Sequence, residues 1–400
     1  MSLPSTPTRG SVAEVFLAFL KLGLSSFGGP IAHLGYFRDE LVVRRRWIDE
    51  QAYADLVALC QFLPGPASSQ VSFALGLQRA GTAGALAAWA AFTLPSAILL
   101  ILFALGAAAL GGPVGLGLVG GLKIVAVAIV AHAVLGMARS LCPDRARAAL
   151  AAAAIVLVSL LPGVTGQITA IAAGAGLGAL CLPGSRGQSL PPGSPLSTSA
   201  GAVLLITFAL LLAGLPLAAA LWPDSGLALF DAFYRAGAWV FGGGHVVLPL
   251  LQAEVVHSGQ VSADAFLSGY GAAQAVPGPL FSFAAYLGYV AEPGGGLSGA
   301  LLALVAIFLP GLLLVAGSLP FWESLRGRAG LHGALQGANA AVVGLLAAAL
   351  YDPVFSSAIT GMPQFALAVT GFVLLTAWKA APWLVVLLSA AGGVLIQLMA

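Results

Sequence analysis

FLAFLKLGLSSFGGP at Phe16–Pro30 returns as FDAFYRAGAWVFGGG at Phe230–Gly244, and this recurrence decides how the chain is read. At an offset of 214, Phe16, Ala18, Phe19, Gly23, Phe27, Gly28, Gly29, Leu34, Glu40 and Val42 meet Phe230, Ala232, Phe233, Gly237, Phe241, Gly242, Gly243, Leu248, Glu254 and Val256. At 213, Ala52, Gln61, Pro64, Gly65, Pro66 and Ser69 meet Ala265, Gln274, Pro277, Gly278, Pro279 and Ser282. At 215, Gly84, Ala85, Leu86, Leu94, Pro95 and Leu99 meet Gly299, Ala300, Leu301, Leu309, Pro310 and Leu314. LPGP at Leu63–Pro66 is thus matched by VPGP at Val276–Pro279. Identities this clustered, with so few shifts, point to one duplicated unit. Duplicated apolar halves interrupted by Gly and Pro at matched places point to a transporter whose substrate site lies at the repeat interface.

The solvent around most of this chain must be lipid. Sixty per cent of its residues are hydrophobic and 8% are charged, against about 25% charged in a soluble domain. Apolar runs such as Ala83–Leu110 and Ala200–Leu221 are long enough to span a bilayer, and they are continuous rather than alternating, which argues against a barrel. A net charge of +2 with no basic tail offers nothing to nucleic acid. Cys60, Cys142 and Cys181 show no CxxC spacing, so neither a disulfide framework nor a zinc site is expected, and they read as small apolar helix residues. The N-terminal stretch has no apolar core followed by a cleavage site, so insertion without cleavage is expected. HExxH, GxSxG, P-loop and Cys/His signatures are absent from the sequence. That argues against an enzyme, a cofactor and a nucleotide-driven pump, and leaves a gradient-driven carrier.

The expected fold is an all-α integral membrane protein of two inverted-topology repeats with broken or re-entrant helices, with about 9 to 13 membrane segments by hydropathy. Residues 1–182 form the first membrane repeat, 183–225 a linker with an unpaired transmembrane helix, and 226–400 the second, inverted repeat. In the first repeat the pattern predicts Ser11–Phe27, a break at Gly28–Pro30, and an amphipathic helix Ile31–Val43. Short helices near Asp49–Phe62 and Ala67–Arg79 follow, hinged at Pro64–Pro66, then long ones near Ala83–Leu110, Val114–Ala138, Ala146–Leu161 and Thr165–Leu182. Pro183–Ser199 is Gly-, Pro- and Ser-rich and reads as a flexible linker. After Ala200–Leu221 the plan repeats: Gly226–Phe241, His245–His257, Ser262–Ala275 and Leu280–Ala291. Gly296–Leu319, Gly330–Leu350, Pro363–Trp378 and Pro382–Met399 complete it. Loop charges supply the orientation. Arg44–Arg46, Arg79, Arg139, Arg145 and Arg147 crowd first-repeat loops whose counterparts hold Glu254, Asp264, Glu292 and Asp352; Arg326 and Arg328 face the uncharged Gly111–Pro113. A basic bias that swaps faces between copies implies inversion, and the unpaired helix supplies the odd crossing. Four full crossings per repeat would give nine, with the GGP and PGP segments re-entrant and facing the protein interior.

Candidate site residues cluster at these breaks. Ser68, Ser69 and Gln70 open the helix after Pro64–Pro66, and Ser282 opens its counterpart after Pro277–Pro279. A helix N-terminus with hydroxyls and an amide makes an oxyanion cradle of little formal charge, to which Gln61 and Gln274 would add donors. Taken alone, such a PGP is a loop and its serines are caps. Gly28, Gly29, Gly242, Gly243 and Gly244 allow close backbone approach. His245 follows the second tip and His33 the first; a lone His there is also a packed core residue. Lys21 and Arg235 sit at matched places inside apolar helices, where an anion-facing role competes with snorkelling to the interface. Lys123 is another such cation, with Asn339 as its counterpart. Glu40 and Glu254 are the matched carboxylates, candidates for proton uptake, or for surface pairing with Arg38 or Arg44 in the case of Glu40.

FLAFLKLGLSSFGGPIAHLGYFRDELVVRRRWIDEQAYADLVALCQFLPGPASSQ, Phe16–Gln70, resembles the N-terminal signature of the chromate ion transporter family. VFGGGHVVLPLLQAEVV and QAVPGPLFSFAAYLG resemble its C-terminal signature. The resemblance covers nearly the whole chain and is to the long, two-domain members, whose halves are thought to have opposite membrane orientation. It implies chromate export from the bacterial cytoplasm, with resistance as the outcome. The chain is expected in the bacterial inner membrane, with the oxyanion, membrane lipid and a second copy of the chain as partners. The motif positions it carries over are Gly28, Gly29, Pro30, Arg38, Gln61, Pro64, Gly65, Pro66, Ser69, Gly242, Gly243, His245, Pro277, Gly278 and Pro279. The second copy departs from it with Gly244 in place of Pro30. Read from the residues alone, the substrate is an oxyanion, sulfate or chromate; the resemblance specifies chromate. A sulfate carrier and a non-transporting membrane scaffold are the competing readings.

Overall fold

The structure, a computed structural model, describes residues 10–109, 112–161, 163–182, 196–222, 226–322 and 329–399. Among these residues there are helices and turns and no strand. In the first repeat α1 is Val12–Ser25, α2 Gly29–Phe37, α3 Glu50–Phe62, α4 Ala67–Ala109, α5 Gly112–Leu141, α6 Arg145–Leu160 and α7 Val164–Cys181. Next comes α8, Thr198–Leu221. The second repeat holds α9 (Leu227–Ala238), α10 (Val247–Leu251), α11 (Ala263–Ala273), α12 (Phe283–Val290), α13 (Gly296–Ser318), α14 (Ala329–Ala349), α15 (Met362–Thr376) and α16 (Pro382–Met399). Seven of the described helices are long and apolar enough to cross a membrane. The protein is a multi-pass, all-α membrane protein. Most of the linker, residues 183–195, and the loop carrying Arg326 and Arg328 lie outside the described residues.

The breaks fall where Gly and Pro place them. α4 is two helices that fold back on each other at Ala80 (φ −140°) and Gly81 (φ +67°), with Gly76 packed against Gly84 and Ala88. α2 starts two residues earlier than the pattern predicts, because Pro30 lies in its first turn, where a missing N–H is no loss. It continues as a π-turn, Arg38–Arg44, and α10 likewise runs into a π-turn, Gln252–Val256. α9 ends at Ala238, three residues short of the predicted Phe241. Matched caps start α3 and α11: Asp49 accepts from Ala52 N–H (2.8 Å) and Ser262 from Ala265 N–H (3.2 Å).

The first part of each repeat leaves and returns to one end of the molecule. Gly10 N–H donates to the Arg79 carbonyl (3.0 Å), and Glu14 accepts from Trp47 Nε1 (3.1 Å) and Arg79 Nη2 (3.1 Å). The start of α1, the exit of the π-turn and the end of α4's first segment therefore meet, and the FGGP and PGP tips are the far ends of two short hairpins. In the second repeat Glu292 N–H closes on the Gln260 carbonyl at 2.9 Å.

The longer helices exchange partners between repeats. α5 packs antiparallel on α16, with Gly117 against Val394 and Gly121 against Ser389 and Ala390. α14 packs antiparallel on α7, with Gly337 against Gly174 and Gly178, and Gly333 against Gly178. Lipid supplies no hydrophobic drive between helices, so small residues that let backbones approach do this work. α8 instead presents Val203, Ile206, Leu210, Leu217 and Leu221 outward and packs only on one side, mainly against α9 and α13.

Candidate functional site

At the centre, each repeat's PGP break is bonded to the other repeat's glycine break. Gly65 N–H donates to the Val240 carbonyl (2.8 Å) and Gly278 N–H to the Ser26 carbonyl (2.9 Å). Gly278 is the counterpart of Gly65, and Val240 of Ser26, so one contact is made twice. Gly65 (φ +121°) also abuts the backbone of Gly311, and Gly278 (φ +101°) abuts Ser96, again counterparts. Pro30 touches its own counterpart, Gly244. An approximate two-fold axis therefore passes between Pro30 and Gly244. A Cβ on Gly244 would stand 3.2 Å from Pro30 Cγ, so the departure from FGGP makes room for the proline ring. The two breaks also differ in shape: α2 follows the first directly, whereas a 3₁₀ turn, Gly244–Val246, follows the second.

The matched charges pair with one another. Lys21 Nζ lies 2.7 Å from Glu40 Oε2, and Arg235 Nη2 lies 2.9 Å from Glu254 Oε2. Both carboxylates sit on the π-turns. Their surroundings differ. Glu40 is also held by Arg45 (2.9 Å) and Arg44 (3.5 Å), while Arg235 is shared with a second carboxylate, Asp231 (3.0 Å). Arg38 bonds to Glu50 (2.6 Å) and not to Glu40. Lys123 pairs with Asp264 (2.5 Å) beside a cavity of about 160 Å³ lined by Ser357, Thr360, Gln364 and Gln397. Its counterpart Asn339 lies against Gly242.

The expected cradle residues behave unequally. Ser69 is fully buried and its hydroxyl has no partner among the described residues, whereas Ser282 donates to the Pro279 carbonyl at 2.7 Å. Ser68 Oγ lies 3.4 Å from His33 Nδ1. Gln61 is exposed, while Gln274 is half-buried with its amide nitrogen unpartnered. His245 Nδ1 is 2.7 Å from the Tyr270 hydroxyl. Gln70, Ser26, His33 and Thr93 are all buried and each carries an unpartnered polar atom. Of these, Ser26 and Thr93 were not singled out by pattern. The signal that finds them is a comparison of the copies: the counterparts of Ser26, His33, Gln70 and Thr93 are Val240, Val247, Phe283 and Phe308. Asp231 was also missed; it stands four residues before Arg235, one helical turn. Among the described residues no group of His, Cys, Asp and Glu is placed to hold a metal.

A family model described as chromate transporter matches residues 13–179 and 227–394, once in each repeat. The chain is 32% identical over 409 residues to a chromate transport protein of Pseudomonas aeruginosa, covering 97% of this chain and 92% of that one. It is 29% identical over 389 residues to a probable chromate transport protein of Synechococcus elongatus, covering 92% and 90%. It is 26% identical over 410 residues to a chromate transport protein of Cupriavidus metallidurans, covering 94% and 92%. No solved structure matches. These relatives are transporters and not enzymes, they match along both repeats, and the breaks that bond across the two-fold axis lie inside both matched segments: the chain belongs to the chromate transporter family.

Proposed function

We propose that this protein is a secondary transporter that carries chromate out of the cytoplasm across the inner membrane, binding it near the bilayer midplane between the paired breaks Gly28–Pro30, Pro64–Pro66, Gly242–Gly244 and Pro277–Pro279. The observation that carries this reading is the reciprocal pair Gly65–Val240 and Gly278–Ser26. Non-helical backbone at membrane depth survives only inside protein or along a watery path, and here four such breaks converge on one axis. The axis would relate inverted repeats, 1–182 and 226–400, joined through 183–225. Support comes from the swapped basic loops and from the packing: α5 runs antiparallel to α16, and alternating crossings through α14 and α15 then make α14 antiparallel to its counterpart α5. Nine full crossings follow, with α6 and α15 the shortest at 16 and 15 residues. For proton uptake Glu254 is the better placed carboxylate, since it shares one arginine with Asp231, whereas Glu40 faces three cations.

The test is uptake of labelled chromate into everted, energised membrane vesicles, with sulfate as competitor. Accumulation that needs energisation and resists excess sulfate is the expected result. Accumulation abolished by sulfate favours a broad oxyanion carrier, and none above vesicles lacking the folded protein removes the exporter reading.

A further inference from the structure

The two repeats are alike in backbone at the axis and unlike in chemistry. Ser26, His33, Ser68, Ser69 and Thr93 are each at most 2% exposed. Their counterparts in the second repeat are Val240, Val247, Phe281, Ser282 and Phe308. Only Ser282 is polar, and its hydroxyl is spent on Pro279.

These first-repeat groups are joined by a chain of contacts and of adjacent residues. The Ser26 carbonyl takes the Gly278 N–H, and Gly278 lies against Ser96 Oγ and the Phe92 carbonyl. The His33 ring stands edge-on to Phe92, 5.4 Å between centroids, with Nδ1 beside Ser68. Ser69 follows Ser68, and Thr93 follows Phe92 with its carbonyl accepting from Ser96 (2.9 Å).

Among the described residues Ser26 Oγ, Ser69 Oγ and Thr93 Oγ1 have no protein partner, and the only protein group facing His33 Nε2 is the Ser26 backbone, outside good hydrogen-bond geometry. Native structures leave few buried polar atoms unpaired, because each costs about 1–3 kcal/mol. Four in one patch of an otherwise apolar membrane protein call for a ligand. At the matching place in the second repeat His245 pairs with Tyr270 and Gln274 Nε2 is unpartnered; the other unpartnered atoms of that repeat, on Asp231, Gln260, Trp322 and Gln364, are not counterparts of this patch.

We infer that the first repeat alone recognises the oxyanion, through the hydroxyls of Ser26, Ser69 and Thr93 and the imidazole of His33, while the second repeat closes the site with apolar side chains. This rests on the oxyanion-transporter reading and names the recognising side of its site. Hydroxyl and imidazole N–H donors suit a tetrahedral dianion, whose oxygens accept only. With no lysine or arginine in the patch, the anion is held by dipoles that let it leave on the other face.

The experiment is equilibrium binding of ⁵¹Cr-chromate and ³⁵S-sulfate to the purified full chain in detergent, each variant first shown to be monodisperse by size exclusion. Thr93→Val and Ser69→Ala are expected to weaken chromate binding about tenfold or more, the range for a hydrogen bond to a charged group. Thr93→Ser, which keeps the hydroxyl, restores most of the affinity. Ser282→Ala, which removes a hydroxyl already bonded within its own turn, loses far less than Ser69→Ala. A wild-type chain that binds neither anion overturns the transporter reading itself. A wild-type chain that binds, with Thr93→Val and Ser69→Ala unaffected or with Ser282→Ala as damaging as Ser69→Ala, overturns the one-sided site and leaves that reading standing.

Discussion

Substituting Gly65 by alanine tests whether the crossed breaks hold the repeats together. At φ +121° an alanine is strained by about 1–3 kcal/mol. Its Cβ would also stand 2.9 Å from Gly311 Cα, backbone of the other repeat that cannot swing aside, so overpacking adds about 1–3 kcal/mol. The sum is about 2–6 kcal/mol. Gly278→Ala carries similar strain, but its nearest neighbour at 2.9 Å is the Ser96 hydroxyl, which can rotate at the loss of one bond to Thr93. Gly81→Ala is the control: φ is +67°, yet nothing lies within 4 Å, so only the strain remains. Thermal denaturation of the detergent-solubilised chain, read by fluorescence-detected size exclusion, should rank the midpoints Gly81→Ala, Gly278→Ala, Gly65→Ala from highest to lowest. Heating must run at one rate, because such unfolding is commonly irreversible. Equal midpoints for Gly65→Ala and Gly81→Ala would refute the argument that a tight inter-repeat contact exists at Gly65.

Arg235→Met should reduce stability far more than Lys21→Met, measured the same way. The first strands two buried carboxylates, Asp231 and Glu254, a loss of about 3–5 kcal/mol; the second removes a half-exposed partner from Glu40, which keeps Arg45, a loss of about 1 kcal/mol or less. Equal losses would overturn the distinction. Orientation is read by single cysteines in a chain otherwise free of cysteine, labelled from each side of sealed vesicles. Inverted repeats place positions 142 and 380 on one face and 163 and 361 on the other; parallel repeats exchange 380 with 361.

The element order was legible because Gly and Pro punctuate it. The breaks at Gly28–Pro30, Pro64–Pro66 and their copies, the kink at Ala80–Gly81 and every long helix follow from local backbone preferences that tertiary packing does not override. The pairing of helices was not legible. That α5 takes α16 as partner depends on Gly117, Gly121 and Gly393 meeting across more than 250 residues, and a chain with 52 glycines does not announce which ones meet. The candidate site was half legible. Repetition marks what the two copies share, so Gly65, Pro66 and Ser69 stood out. Ser26 and Thr93 are polar in one copy and apolar in the other, so a search for identities passes over them. The cations were found but their partners were not. Lys21 and Glu40 are 19 residues apart, a separation that no helical period brings together; a hairpin at the FGGP break does.

Symmetry in backbone with asymmetry in side chains bears on direction. Fixed charges alter how fast each face captures an anion, not the equilibrium across the membrane. Around Glu40 three cations meet one carboxylate; around Glu254 one cation meets two carboxylates. With the basic face toward the cytoplasm, capture is favoured there and recapture is disfavoured on the far side. The driving force is separate. One charge crossing 100 mV is worth about 2.3 kcal/mol, so a dianion leaving a cell that is negative inside gains about 4.6 kcal/mol, a concentration ratio of more than about a thousandfold. The membrane potential alone is therefore sufficient for export on the proposed reading. A proton taken up at Glu254 on the outer face and released inside would add to that force; one leaving with the anion would subtract from it. In everted vesicles the two are separable by charge: at a clamped potential with no pH difference, chromate moving alone carries two charges and chromate exchanging for one proton carries three, so Glu254→Gln lowers the limiting accumulation ratio only if the proton is coupled there.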